Sequence, residues 1–172
     1  MGSLDGRVAF ITGAARGQGR SHAVRLAADG AHIIGVDICS DIPSTPYPMA
    51  SREELDETIA LVEAAGGKML GSTADVRDFY ALQSALEAGV DHFGRLDIVC
   101  ANAGIAPTAF RETSIEEDLQ MWTDAVDVNL VGSFHTAKAA IPHLIAGDRG
   151  GSIVFTSSTA GLKGFGGIQG GG

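Results

Sequence analysis

The sequence predicts a doubly wound α/β fold built on a parallel sheet. Three observations carry that expectation. Five short runs rich in apolar and β-branched residues recur along the 172 residues, alternating with tracts of helical patterning. The runs are apolar on both faces, as strands must be when helices cover both sides of a sheet. The first run opens directly into a glycine-rich stretch, "GAARGQG".

The elements follow in order. "RVAFIT" (residues 7–12) is the first strand and ends at glycine. In "GAARGQGRSHAVRLAADG", Ala23, Val24, Leu26 and Ala27 suit a helix that Gly30 stops at a C′ position. "HIIGVD" is the second strand, and the three prolines of "ICSDIPSTPYPMA" mark a loop after it. "SREELDETIALVEAAGG" begins with Ser51 and Glu54 in the S-x-x-E capping pattern and closes on a glycine pair. "KMLGSTADV" is the third strand, "RDFYALQSALEAGVDHFG" the third helix and "LDIVCA" the fourth strand. Ser114 and Glu117 repeat the capping pattern before one long helical tract that reaches about Ala146. "GSIVFTS" is the fifth strand. Crossovers are expected to be right-handed, and the doubly wound layout has the strand order 3-2-1-4-5. No repeat or linker divides residues 1–172, which read as a single domain.

Composition narrows the function classes. Hydrophobic residues make up 45% and charged residues 19%, as in a water-soluble globular chain, and no apolar run has membrane-span length. "MGSLDGRVAF" is too short and too polar for a secretory signal, so a cytoplasmic location is expected. Twelve Lys and Arg against twenty-one Asp and Glu give a net charge of −9, which argues against a basic grip on nucleic acid. Cys39 and Cys100 fall just past the second strand and within the fourth, about 10 Å apart across the first strand, and are expected to be free packing thiols. The five histidines have no partners at ligand spacing, so no metal site is expected.

Chemistry concentrates where the first strand turns into the first helix. Gly13, Gly17 and Gly19 have the spacing G-x-x-x-G-x-G, with Arg16 and Gln18 between them. A tight turn without side chains lets a pyrophosphate reach the N–H groups at a helix N-terminus. Asp37 ends the second strand, twenty residues after Gly17, with Ile38 beside it. A carboxylate there accepts both ribose hydroxyls of an adenosine and repels a 2′-phosphate. Arg16 could greet that phosphate, but one guanidinium does not outweigh a carboxylate at the 2′-oxygen itself. NAD is therefore expected over NADP. Asp75, Asn102 and Ser158 lie at or beyond carboxyl ends of strands, where open α/β sheets bind ligands, although each also has a plain structural reading. Asn129 is unfavourable inside a helix, which hints at a role beyond the helix.

As a set, "TGAARGQG", "ADV" (residues 74–76), "NAG" (residues 102–104), "VNL" around Asn129 and "IVFTSS" resemble, in order and spacing, the short-chain dehydrogenases/reductases. The resemblance runs from about residue 5 to the end. The proline-rich insert followed by "PYPMASREELDETIALVE" is similar to the carveol dehydrogenase-like branch associated with the redox cofactor mycofactocin. It implies a Rossmann-type sheet and an NAD-dependent oxidoreductase that moves hydride between a secondary alcohol or ketone and nicotinamide. Within the branch it also implies tightly held NAD and mycofactocin as an external electron acceptor. By resemblance Asp75 meets the adenine amino group with Val76 beside it, and Asn102, Ala103 and Gly104 line the adenosine side. Asn129 holds a relay water, and Ser158, ahead of Ser157, hydrogen-bonds the substrate oxygen.

The family's chemistry also needs a tyrosine followed four residues later by lysine, whose ammonium lowers the phenol's pKa. Tyr47 and Tyr80 are followed at that distance by Ser51 and Ser84. The expected tyrosine position, a dozen or slightly more residues after the serine, falls on Gly170, Gly171 and Gly172. The sheet is thus expected to be incomplete at its C-terminal side, with an uncovered fifth strand, and residues 1–172 alone are expected to show no turnover. A non-catalytic NAD-binding fragment or one half of a split enzyme is the alternative reading. Homo-oligomerisation is expected of the full-length form.

Overall fold

The computed structural model describes residues 2–107 and 112–159. Five parallel strands form one sheet in the order β3-β2-β1-β4-β5, with β1 (Val8–Thr12) at its centre, β2 (His32–Asp37) and β3 (Met69–Thr73) on one side and β4 (Ile98–Ala101) and β5 (Ser152–Phe155) on the other. Val8 pairs with His32, Ala9 with Ile98, and Ile98 in turn with Ser152. The predicted strand order holds. The intervening helices are α1 (Gly17–Ala28), α2 (Arg52–Ala64), α3 (Phe79–Phe93), α4 (Ile115–Val126) and α5 (Gly132–Ala146).

The period-two alternation of strand side chains divides the core. Val8, Phe10, Ile34, Val36 and Val99 point to the face covered by α3 and α5, where they meet Leu82, Leu86, Ala139 and Ala140. Ala9, Ile11, Ile33 and Cys100 point to the opposite face and meet Ala23 and Ala27 of α1 and Leu55 and Val62 of α2. Helices on both faces of a parallel sheet make the Rossmann-type arrangement that the sequence predicted.

Local signals set the helix ends. Ser51 Oγ accepts the Glu54 N–H while the Glu54 carboxylate accepts the Ser51 N–H, and Ser114 with Glu117 repeats the box at α4. Asp78 caps α3 through the N–H groups of Tyr80 and Ala81. Gly30 follows α1 at φ +102°, as its C′ placement requires. The long helical tract reaches Ala146 as expected, with one irregularity. The tract from Ile115 to Ala146 is not one regular α-helix, because a π turn over Asp127–Val131 separates α4 from α5. The extra residue of a π turn re-aims the side chains around it, and Asn129 sits within this one.

A buried carboxylate joins the centre to the β4 side. Asp97 accepts the Val8 N–H at 2.9 Å and the Arg95 guanidinium, with Arg7 Nη1 3.9 Å away. Burial acts to raise its pKa, but the Arg95 hydrogen bonds, the Val8 N–H and the two guanidinium charges outweigh it and hold the carboxyl below its ordinary value. Cover is thinner further out. Val154 and Phe155 of β5 are about half exposed, and Ile115, Leu119, Trp122, Leu130, Phe134 and Ile145 form an exposed apolar stripe along α4 and α5. Gly170, Gly171 and Gly172 lie outside the described residues.

Candidate functional site

A cleft of about 910 Å³ opens over the carboxyl ends of the strands, where the chain crosses from the β1–β2 side to the β4 side. That is the switch point at which α/β sheets take ligands. Its floor is the turn from β1 into α1. Gly13 has φ +69°, and a Cβ there would press on the Ala103 backbone. Gly19 packs beneath the turn, where a Cβ would collide with the Gly13 carbonyl. Arg20 fastens α2 to this turn by donating to the Ala15 carbonyl, to Thr58 Oγ1 and to the Glu54 carbonyl. The N-cap of α1, Arg16, makes no side-chain cap, unlike those of α2, α3 and α4, and the first turn of α1 holds no acidic residue, unlike those of α2 and α4. Its first N–H groups are left to a ligand or solvent.

Gly13, Arg16, Gln18, Asp37, Ile38, Asp75, Val76, Asn102, Ala103, Gly104, Asn129 and Ser158 all line the cleft, with Ser157 beside the last. Gly17 and Gly19 do not line it; they shape the turn beneath. Asp37 is 7% exposed, and each of its oxygens accepts one backbone N–H, from Ala15 at 3.0 Å and from Cys39 at 3.3 Å. A carboxylate has about four acceptor positions, so two remain for a ligand. Asn102 donates Nδ2 to the Thr12 carbonyl at 3.0 Å and accepts from Thr156 Oγ1, which ties β1, β4 and the end of β5 together. Asn129 is committed to the wall: its Oδ1 accepts the Ile105 N–H at 2.8 Å and its Nδ2 donates to the Ile105 carbonyl at 2.9 Å.

Three groups in and around the cleft escaped the sequence reading. Thr12, buried at the end of β1, accepts the N–H groups of both Asn102 and Ala103 on one hydroxyl. Its signal was a strand-ending threonine just ahead of the glycine turn. Second, the proline-rich segment after β2 crosses the cleft. Tyr47 Oη accepts the Ala106 N–H at 3.0 Å on the β4 side, and the Pro48 carbonyl accepts Arg16 Nη2 at 2.8 Å. One nitrogen of the Arg16 guanidinium is thereby committed to the segment that crosses the cleft. Third, Arg77 grips Asp75 from outside the cleft and reaches Asp124. Neither of these last two has a local sequence signal.

The thiols take no part in this geometry. Cys39 and Cys100 are free, and burial, joined at Cys39 by the nearby Asp37 charge, pushes both thiols above their ordinary pKa. No group of three or more potential metal ligands occurs among the described residues, and none of their helices is long and apolar enough to cross a membrane.

The same framework occurs in known proteins. An uncharacterized oxidoreductase of Mycobacterium tuberculosis is 57% identical over 95% of this chain and 57% of its own length. The (-)-trans-carveol dehydrogenase of Rhodococcus erythropolis is 51% identical over 96% of this chain and 59% of its own. Carveol dehydrogenase from Mycobacterium avium, solved in complex with NAD, superposes with a TM-score of 0.88 at 49% identity, covering 96% of this chain and 59% of that one. The chain therefore spans 57–59% of the length of these relatives. A family model described as short chain dehydrogenase matches residues 7–169, and with the parallel sheet and glycine turn already in place the conclusion is direct: the chain belongs to the short-chain dehydrogenase family.

Proposed function

We propose that this chain forms the NAD-binding part of an oxidoreductase that moves hydride between a secondary alcohol or ketone and nicotinamide. The observation that carries the reading is the cleft itself: a side-chain-free turn, an uncapped helix N-terminus and the Asp37 carboxylate converge on one wall. The residues fit the dinucleotide. The turn at Gly13, Gly17 and Gly19 brings a pyrophosphate against the first N–H groups of α1, with Gln18 and Arg16 at its rim. The two open acceptor positions of Asp37 match the two ribose hydroxyls, and Ile38 packs beside the adenosine. Asp75 and Val76 face the base, while Asn102, Ala103 and Gly104 back the adenosine side.

When bound, the dinucleotide supplies the hydride acceptor or donor; the remaining work belongs to side chains. Ser158 orients the substrate oxygen by hydrogen bonding. Asn129 fixes the wall through Ile105, and its backbone carbonyl, which already accepts Ser133 Oγ, is the natural seat for a relay water. Relatives named as carveol dehydrogenases support a small alcohol or ketone as substrate and, through the branch they resemble, mycofactocin as the external electron acceptor. The exposed apolar stripe of α4 and α5 supports homo-oligomerisation of the longer protein, and its NAD chemistry suits the cytoplasm. Calorimetric titration with NAD and NADP tests the reading: NAD should bind more tightly, Asp37→Ala should narrow the difference, and tighter NADP binding by the unmutated chain would overturn it.

A further inference from the structure

The Asp75 carboxylate is set in place from outside the cleft. Arg77 Nε lies 3.1 and 2.9 Å from the two Asp75 oxygens, Arg77 Nη2 lies 2.7 Å from Oδ2, and the Arg77 N–H lies 2.9 Å from Oδ1. The far side of the guanidinium, Nη1, donates to Asp124 Oδ1 at 2.9 Å. Asp124, near the end of α4, is 6% exposed, and its other oxygen accepts Gln120 Nε2 at 3.1 Å. Asp75 lines the cleft, but Arg77 and Asp124 do not. The adjoining Val76 is pinned by α5: its carbonyl lies 2.9 Å from His135 Nδ1, and its side chain fills the space a Cβ on Gly132 would need. The loop backbone is thus held by α5 and the carboxylate by α4.

Counting acceptors gives this clasp a chemical meaning. A carboxylate offers about four acceptor positions. The Arg77 backbone N–H, Nε and Nη2 bring three hydrogens to them, the Nε hydrogen shared between both oxygens, so at most one position is left for a ligand in the cleft. A base edge with a single donor fits that position, whereas an edge presenting a lone pair is repelled by the anion. A guanidinium suits the task because its rigid fork fixes the carboxylate plane, which an ammonium point charge does not.

We propose that Arg77, held by Asp124, is a positioning residue that presents the last acceptor of Asp75 to the exocyclic amino group of adenine, making the cleft selective for 6-amino over 6-oxo purine dinucleotides. The proposal rests on the NAD reading above. The test is titration of the full chain and its variants with NAD and with nicotinamide hypoxanthine dinucleotide, in which an oxo group replaces the amino group. The unmutated chain should bind NAD roughly tenfold more tightly, the scale of one hydrogen bond to a charged group. Arg77→Lys keeps the charge but loses the fork, so the ratio should fall toward one through loss of NAD affinity. Asp124→Asn should narrow the ratio by a smaller factor, and it provides the same readout where Arg77→Lys lacks a cooperative thermal transition. A purely structural clasp would weaken both nucleotides alike and keep the ratio. That result, or equal binding of both nucleotides by the unmutated chain, overturns the proposal alone. An unmutated chain that binds neither overturns the cofactor reading, and the proposal with it.

Discussion

β1 and β5 are both short, apolar, parallel strands, yet β1 is buried at all five positions while Val154 and Phe155 of β5 stand about half exposed. The difference lies in what surrounds each strand. β1 has a strand on either side and helices on both faces, whereas β5 pairs only with β4 among the described residues. An apolar run marks a strand; its burial is decided by segments distant in sequence. The cleft straddles both regimes. The walls at Gly13, Asp37 and Asp75 stand on covered framework, whereas Ser157 and Ser158 extend from the exposed strand.

The sharpest way to break the covered half is at its seam. Asp97→Ala leaves the buried Val8 N–H unpaired, at about 1–3 kcal/mol, and removes the charge-assisted hydrogen bonds of the part-exposed Arg95, at about 1.5–3 kcal/mol. Denaturant unfolding should register most of that loss; a change under about 1 kcal/mol, the scale of an exposed pair, would show that the seam carries little stability. Next in size is Gly19→Ala. Its Cβ meets the Gly13 carbonyl, so the turn must move, at about 1–3 kcal/mol for overpacking against backbone. NAD affinity should fall with it, because the displaced turn is the proposed pyrophosphate seat. A variant that binds NAD normally would separate the turn from the cofactor.

Those seams also mark the limit of what the sequence made legible. The succession of strands and helices, both capping boxes and the Gly30 stop were readable because each has a local cause: alternating periods, S-x-x-E spacing, or a glycine at C′. Twelve of the cleft-lining residues were readable because strand ends and glycine turns converge on one switch point. What stayed hidden acts at long range. Tyr47 meets Ala106 across 59 residues, Arg77 meets Asp124 across 47, and Thr12 meets Asn102 across 90. A side chain bonded to a distant backbone group leaves no periodic trace. The π turn stayed hidden for a related reason, since the Asn129–Ile105 tie spans 24 residues and a helix pattern does not encode it.

A matched pair of truncations puts the two strands on one scale. Val99 is fully buried in β4, and Val154, one register position further along in the neighbouring β5, is 52% exposed. Val99→Ala should lose about 2 kcal/mol, from two methyl-sized groups and the cavity they leave, and Val154→Ala about 0.5 kcal/mol or less. Equal losses would mean that β5 is as well covered as its neighbour, which would erase the comparison.

The smallest effect is read in acid. The Asp97 carboxyl is held below its ordinary pKa because the Arg95 hydrogen bonds, the Val8 N–H and nearby guanidinium charges outweigh the opposing effect of burial. A group whose folded pKa is depressed contributes stability that is fully present above its unfolded value, about 3.9 for aspartate, and lost as pH falls through the folded value. Asp97→Asn keeps the size and one acceptor but cannot ionise. The unmutated chain should therefore exceed Asp97→Asn in stability by a constant margin above about pH 5, and that margin should shrink below about pH 4 as Asp97 takes up its proton. Melting temperatures of both chains across that range give the measurement. A margin that holds steady into acid would mean that Asp97 stabilises the seam by shape alone, and that the charge between the centre of the sheet and its β4 side is idle.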